Sequence, residues 1–462
     1  MNNTAQIVTA HWRKGALILI AGLGALLLSR AIASGLSIYF LSLIGLAGVL
    51  FLFWKQFELF ILLLLIINQE FFQLLPRAFL GEERQYQGLL FLVLPLAGVW
   101  FFLFNKKQTD RNLNILVLVF AGLALIGIIN SSLQGQPFML GVKAAKGYYL
   151  ILFYFVFVTR KIDVRKFSRS VVIVGLLLTL VNNVQYIYFG KLTIFNLSRE
   201  MERAGQLRFL IGEMFMLYAP MLALGEYLQS KKRFYLFAFI YMLATVIIQG
   251  QTRGVIWGFA FMGLFLFYML KKLNVMKVVL VGVPLVALFL WVGPLLQKTF
   301  LGELYELTKY EISGRQGNVG VRYDTYGYYF GEVAKSPIFG RGIWNDAYRG
   351  NNPEDMSYKD MYLSDVGITS LFFHLGLAGA VWLCLVFARV YKFTFTAFRR
   401  IRENAPLGIV AYFVFSFATL PTLNCLLASR TTLYLALSLA ILSQMDRPPN
   451  DSDQLEPAWM SR

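Results

Sequence analysis

Residues 113–130 read LNILVLVFAGLALIGIIN, an uncharged apolar run preceded by the basic residues Lys106, Lys107 and Arg111. Its length matches the roughly 20 apolar residues that a helix needs to cross the hydrocarbon core of a bilayer. It lacks the two-residue alternation of an outer-membrane barrel strand. A run of this kind is read as a membrane-spanning helix, and the rest of the chain repeats the pattern.

The 462 residues are 58% hydrophobic and only 15% charged, and the mean hydropathy is +0.60. A soluble protein carries roughly a quarter of its residues as charges. Here the charges are fewer and are gathered into short clusters between long apolar runs. The reading is an all-α integral membrane protein, a polytopic bundle of about fourteen transmembrane helices with one large, partly helical external loop. Spans are expected near 15–33, 36–54, 57–75, 88–104, 113–130, 147–159, 170–189, 208–228, 234–250, 254–271, 275–296, 367–390, 406–425 and 430–444. The chain then divides into helices one to eleven over 1–296, the loop over 297–366, helices twelve to fourteen over 367–445 and a polar tail over 446–462. The first apolar run has no small-residue cleavage site after it and reads as a retained helix.

Orientation follows from where the basic residues lie. Lys106, Lys107 and Arg111, the run Arg160 to Lys166, Lys231 to Arg233, Lys271 with Lys272, and Arg399, Arg400 and Arg402 occupy every second loop. The positive-inside rule makes those loops cytoplasmic, and an even number of spans puts both termini there too. The net charge of +18 therefore reports topology rather than nucleic-acid binding. Cys384 and Cys425 fall in apolar segments and read as packing residues.

The stretch 297–366 is far longer than an ordinary connection, which calls for a binding or catalytic role. Helices are expected around Leu301–Glu311 and Arg322–Lys335, the second ended by Ser336-Pro337, since proline disfavours a helical residue before it. No internal repeat of the transporter kind is seen. The external face carries basic residues that topology does not explain: Lys143 and Lys146, Arg203 and Arg208, Arg253, Arg315, Arg322, Arg341, Arg349 and Arg430. A guanidinium is a planar fork of donors that grips phosphate oxygens in pairs, so several converging arginines bind a diphosphate without a metal. The alternative is that each snorkels or pairs with an acid, and the loop holds ten acids against eight basic residues.

Glu213, about a turn inside the eighth span, is an intramembrane ionisable residue and so a candidate site, or else half of a buried ion pair. Asn182, Asn183 and Gln185 either line a sugar path or bond across helices. Asp451-Ser-Asp453 has the spacing of metal-dependent glycosyltransferases but sits in the tail. The chain has no Walker loop, dinucleotide fingerprint or HExxH motif, and neither a cofactor nor a metal is expected.

Three segments resemble the O-antigen ligase and polymerase superfamily. Arg203-Ala-Gly-Gln-Leu-Arg208 leads into a Pro-containing apolar span, and Gln251-Thr-Arg253-Gly254 is similar to the family's Ser-Arg-Gly turn. Arg322 followed by Lys335-Ser-Pro-Ile-Phe-Gly340-Arg-Gly342 is similar to its stretch from an arginine to a His-Pro-x-x-Gly-x-Gly turn. The resemblance spans about residues 200–380; the first half matches in hydropathy alone. The ligase branch carries a His-Asn pair about eleven residues before a Gly-x-x-Gly turn. Here that turn is Gly376-Leu-Ala-Gly379, and the corresponding position is Asp365. His374 lies nine residues further along, about 13 Å deeper on a helix, and reads as a satisfied polar group.

The resemblance implies transfer of a glycan from an undecaprenyl-diphosphate carrier to an acceptor hydroxyl, on the periplasmic face of the bacterial inner membrane. Asp365, Arg322 and Arg253 are then the catalytic candidates, and Arg203, Arg208, Arg341, Glu213 and Lys146 the substrate-binding ones. The implied partners are the lipid-linked donor, a glycan or lipid acceptor, membrane lipids, a chain-length regulator and a flippase, with no nucleic acid. The absent histidine favours a polymerase over a ligase. A flippase or exporter without chemistry is the reading from a different class, and it fits poorly with basic residues set on one face beside a long loop.

Overall fold

A computed structural model describes residues 51–73, 93–100, 110–189, 201–203, 206–208, 210–250, 252–269, 317–345, 366–400, 406–421 and 431–445, with a few isolated positions between them. The chain is a helical membrane protein. Its main elements are α1 (Phe57–Asn68), α2 (Arg111–Leu133), α3 (Phe138–Ala144), α4 (Lys146–Phe157) and α5 (Val164–Ile187). A hairpin of β1 (Met201–Arg203) and β2 (Gln206–Arg208) follows, then α6 (Glu213–Ser230), α7 (Arg233–Gly250), α8 (Arg253–Met269), α9 (Gly317–Ala334), α10 (Gly367–Arg400), α11 (Leu407–Thr419) and α12 (Thr432–Met445).

Among the described residues, four helices are long and apolar enough to cross a membrane: α2, α5, α7 and α10. A fifth span results if α3 and α4, bent by 54° at a short break, count as one. Four shorter apolar helices lie over Phe57–Asn68, Gly254–Leu266, Leu407–Thr419 and Thr432–Met445. The expected spans 15–33 and 275–296, most of 36–54 and the tail lie outside the described residues, so fourteen spans are met only in part.

Several boundaries differ from the expected ones for identifiable reasons. The third span stops at Asn68, because Glu70 to Gln73 all adopt positive φ and turn the chain left-handed. The sixth is not one helix over 147–159; it begins after Pro137 and breaks at Ala145. The eighth begins at Glu213, after Gly212 at φ 65, and Arg208 lies in β2 instead. That hairpin pairs Met201 with Arg208 and Arg203 with Gln206, an exception to the expected all-α fold. The loop helix α9 starts five residues before the expected Arg322 and ends at Ala334.

The core is built around α6 and α12, whose faces are buried nearly all round. A helix apolar on every side belongs inside a bundle. Tyr218, Tyr412 and Tyr434 meet edge to face with ring centroids 5.1 Å apart for each pair involving Tyr218. Small residues let backbones approach, as membrane helices require: a Cβ on Gly225 would stand 2.3 Å from the Gly408 nitrogen.

Polar side chains beside some of the basic segments tie neighbouring helices together. Asp110 caps α2 by accepting from the Asn112 and Leu113 amides, and the same carboxylate holds Arg389 near the end of α10, with Nε at 3.1 Å. Asp163 caps α5 through the Lys166 amide at 3.0 Å. Lys166 pairs with Glu58 at the start of α1 at 3.3 Å, and Gln444 of α12 bonds the backbone at Phe157, Arg160 and Ile162.

Candidate functional site

At the opposite end, the polar residues of α5 are joined to their neighbours. Asn182 exchanges bonds with the Ile211 backbone at 3.4 Å. Asn183 donates to Tyr241 Oη at 2.9 Å and to Thr245 Oγ1 at 3.0 Å, and accepts from Gln249 Nε2 at 2.8 Å. The Gln185 side-chain oxygen accepts from the Ile194 amide at 3.1 Å. These contacts are cross-helix fastenings of the kind expected between membrane helices.

The segment Ser336–Ile343 is firmly anchored at this end. Helix α10 is broken at Gly376, which has φ 60 and ψ −155, a region open to glycine almost alone. The break strands backbone groups that must find partners elsewhere. The turn after α9 supplies them. Leu377 N–H donates to Pro337 O at 2.9 Å and Ala378 N–H to Ile338 O at 3.0 Å, while Phe373 O accepts from Arg341 N–H at 2.7 Å. On the other side Ile343 N–H donates to Gly127 O of α2 at 3.0 Å. Gln134 and Gln136, just beyond α2, donate to Arg341 O and Ile343 O at 2.9 and 3.0 Å. The Pro337-x-x-Gly340 and Gly376-x-x-Gly379 motifs are thus two halves of one interlock. A Cβ on Gly340 (φ 71) would stand 2.5 Å from Phe373 O, and one on Gly376 would stand 2.4 Å from the Gly340 nitrogen.

Gly340→Val is therefore expected to break this joint. Left-handed backbone and overpacking together cost about 2–4 kcal/mol. Purified variant protein should unfold at lower temperature than wild type and should lose protection of residues 336–343 in hydrogen exchange, whereas an unchanged exchange pattern there would refute the interlock.

Above the joint, Tyr329, Trp344, Leu363, Val366 and Phe373 form a small core of their own that holds α9 against α10. Two of the sequence-predicted arginines sit on this platform, and they differ. Arg341 Nε lies 3.2 Å from Glu332 Oε2, an ion pair without hydrogen-bond alignment, and Glu332 also binds Lys335. Arg322, one turn before Tyr326, has its Nε buried with no hydrogen-bond partner among the described residues. Tyr326 in turn donates its hydroxyl to Pro421 O at the end of α11. Burial pushes the Tyr326 hydroxyl above its usual range, and the Arg322 charge draws it partly back. A buried guanidinium edge without a partner is costly; both Nε atoms lack a hydrogen bond among the described residues, and Arg322 differs in having no acid beside it there as Arg341 has Glu332.

The other predicted residues are placed as follows. Arg203 and Arg208 stand on the two hairpin strands, and Arg253 opens α8. Leu210, just past the hairpin, packs on Gly250, to which a Cβ would come within 3.5 Å. The hairpin exit therefore lies beside the end of α7. Glu213 is exposed at the first turn of α6 rather than a turn deep in a span, where a carboxylate complements the helix dipole. Lys146 is exposed at the break between α3 and α4. Asp365 lies outside the described residues, between Leu363 and Val366, which are 5% and 0% exposed. His374 is buried and its Nδ1 lies 2.7 Å from the Tyr148 hydroxyl; it is a satisfied polar group between helices.

Among the described residues no group of three His, Cys, Asp or Glu side chains comes together as a metal site. The interlock was visible in the sequence as its glycine motifs, but nothing in their spacing said that they face each other. The hairpin has strands of three residues, too short to show an alternation.

Residues 237–384 match the O-Antigen ligase family. The matched stretch runs from α7 through the first half of α10 and takes in Arg253, Arg322, Arg341 and Asp365; Arg203, Arg208, Glu213 and Lys146 precede it. No curated protein gives a significant match to the chain.

Proposed function

We propose that this chain, whose residues 237–384 match the O-Antigen ligase family, is a glycosyltransferase that polymerises undecaprenyl-diphosphate-linked repeat units on the periplasmic face of the inner membrane. The observation that carries the reading is Arg322, a guanidinium whose buried Nε has no hydrogen-bond partner among the described residues, carried on a helix of the external loop. A diphosphate is a good leaving group, so the enzyme's main task is to stabilise the charge that grows on it as the sugar bond breaks. Arg322 and Arg253 take that role, with Arg203, Arg208, Arg341 and Lys146 holding the remaining phosphate and sugar oxygens and Glu213 orienting the sugar. Asp365 orients the acceptor hydroxyl and receives its proton late in the reaction. A carboxylate is a weak base, so orientation is its larger share. The metal is dispensable in this scheme because arginines carry the charge.

A ligase is the second reading, favoured by the description of the matched family; Asp365 in place of the ligase histidine favours the polymerase. The surface glycan of a deletion strain separates them on a gel. A polymerase deletion leaves single repeats attached and no ladder. A ligase deletion leaves no attached glycan and polymer accumulating on the carrier.

The orientation proposed here puts the Glu58–Lys166–Gln444 end in the cytoplasm. A reporter active only outside the cytoplasm should work when fused within 297–366 and fail near Lys231 or Arg400. Activity at Lys231 would overturn that orientation, and with it the periplasmic site.

A further inference from the structure

Helix α9 shows two exposed edges of opposite character. Tyr323, Gly327, Phe330 and Ala334 follow the i, i+4, i+7, i+11 spacing of one helical stripe, and all four are exposed. Asp324, Gly331 and Lys335 repeat that spacing one residue on, about 100° round the helix, and are exposed as well. The buried edge, with Thr325, Tyr329 and Glu332, faces the protein. Tyr323 and Phe330 are 66% and 46% exposed, large aromatic surfaces for a loop helix to leave uncovered. Between them, a Cβ on Gly327 or Gly331 would meet nothing within 4 Å among the described residues.

The apolar edge does not stand alone. Ile338 and Phe339, in the turn after α9, are 61% and 41% exposed. The backbone bonds from Leu377 and Ala378 to Pro337 and Ile338 set that turn directly against α10. There Leu377, Val381 and Leu385 are exposed along one face at the four-residue spacing of a lipid-facing stripe. Phe330 also meets Phe372 of α10 at 6.1 Å between ring centroids. The apolar surface is therefore continuous from a membrane-spanning helix onto the loop helix, and a charged edge bearing Lys335 lies beside it.

We infer that the Tyr323–Phe330 edge of α9 and the Ile338-Phe339 turn seat in the headgroup layer of the bilayer, as an interfacial anchor of the external loop. Aromatic rings with one wet side are favoured at that depth, and an interfacial helix sinks its apolar face by about 5–10 Å. Asp324 and Lys335, the latter paired with Glu332, lie on the adjoining edge and stay in water. Aliphatic Ile338, and the continuity with Leu377 and Val381, fit acyl chains better than a sugar, whose hydroxyls would find no partner there. The inference is independent of the reaction and of which end of the protein is external.

The test places single cysteines in full-length protein carrying Cys384→Ser and Cys425→Ser. The sites are Tyr323→Cys, Phe330→Cys and Phe339→Cys on the apolar edge, with Asp324→Cys and Lys335→Cys on the polar one. Each is labelled with bimane and reconstituted in vesicles of phosphatidylethanolamine and phosphatidylglycerol containing headgroup-nitroxide lipid. Quenching by the nitroxide lipid should be severalfold stronger at 323, 330 and 339 than at 324 and 335, and aqueous iodide should give the reverse order. Equal quenching at all five sites would overturn the anchor. So would shielding of 323, 330 and 339 from both quenchers, which would mean that protein or glycan covers the face.

Discussion

Arg322→Lys and Arg253→Lys are each expected to cut glycan transfer by roughly 30- to 1000-fold, because a transition-state contact to a desolvated anion is worth about 2–4 kcal/mol. Lysine keeps the charge, but a point charge cannot reproduce the paired hydrogen bonds of a guanidinium. The argument is strongest at Arg322, whose buried Nε lacks a partner among the described residues, so the substitution removes a directional donor and no bond seen within the protein. Arg349→Lys, outside the matching motifs, should stay near wild type. The measurement is ladder formation in a deletion strain, with membrane levels checked by blot. A normal ladder from both variants would place the diphosphate elsewhere.

Asp365→Asn is expected to abolish most activity while the protein inserts and accumulates normally. Asparagine keeps the size and one acceptor oxygen but loses the charge, so it separates a role in the reaction from a role in the fold. The neighbouring anchors Leu363 and Val366 are untouched by the change and should hold the segment to Tyr329 and Phe373. An Asp365→Asn variant with a full ladder would remove the aspartate from the site.

The membrane fold was legible because its signal is coarse: a run such as 113–130 needs only length and the absence of charge. Charge clustering was equally readable in the sequence; the structure adds pairings across long separations, such as Arg389 with Asp110 and Gln444 with the Arg160 backbone. Breaks inside helices were harder. Gly376 interrupts an apolar segment with no charge near it, and hydropathy does not register a backbone angle; at Ala145 the flanking Lys143 and Lys146 read only as the edge of a span. Arg341 and Arg322 look alike as sequence, and only the fold sets Glu332 beside the first. A side-chain pair formed across a turn depends on tertiary placement, and spacing alone does not determine it.

The central claim is tested most directly by turnover of a purified lipid-linked repeat unit. Protein reconstituted with an undecaprenyl-diphosphate-linked oligosaccharide and excess EDTA should produce a ladder of longer lipid-linked glycans and release free carrier diphosphate, and Arg322→Lys should suppress both. Turnover that requires an added divalent ion would contradict the arginine account of diphosphate binding, and an intact donor with no product under any condition would contradict the transfer reaction itself.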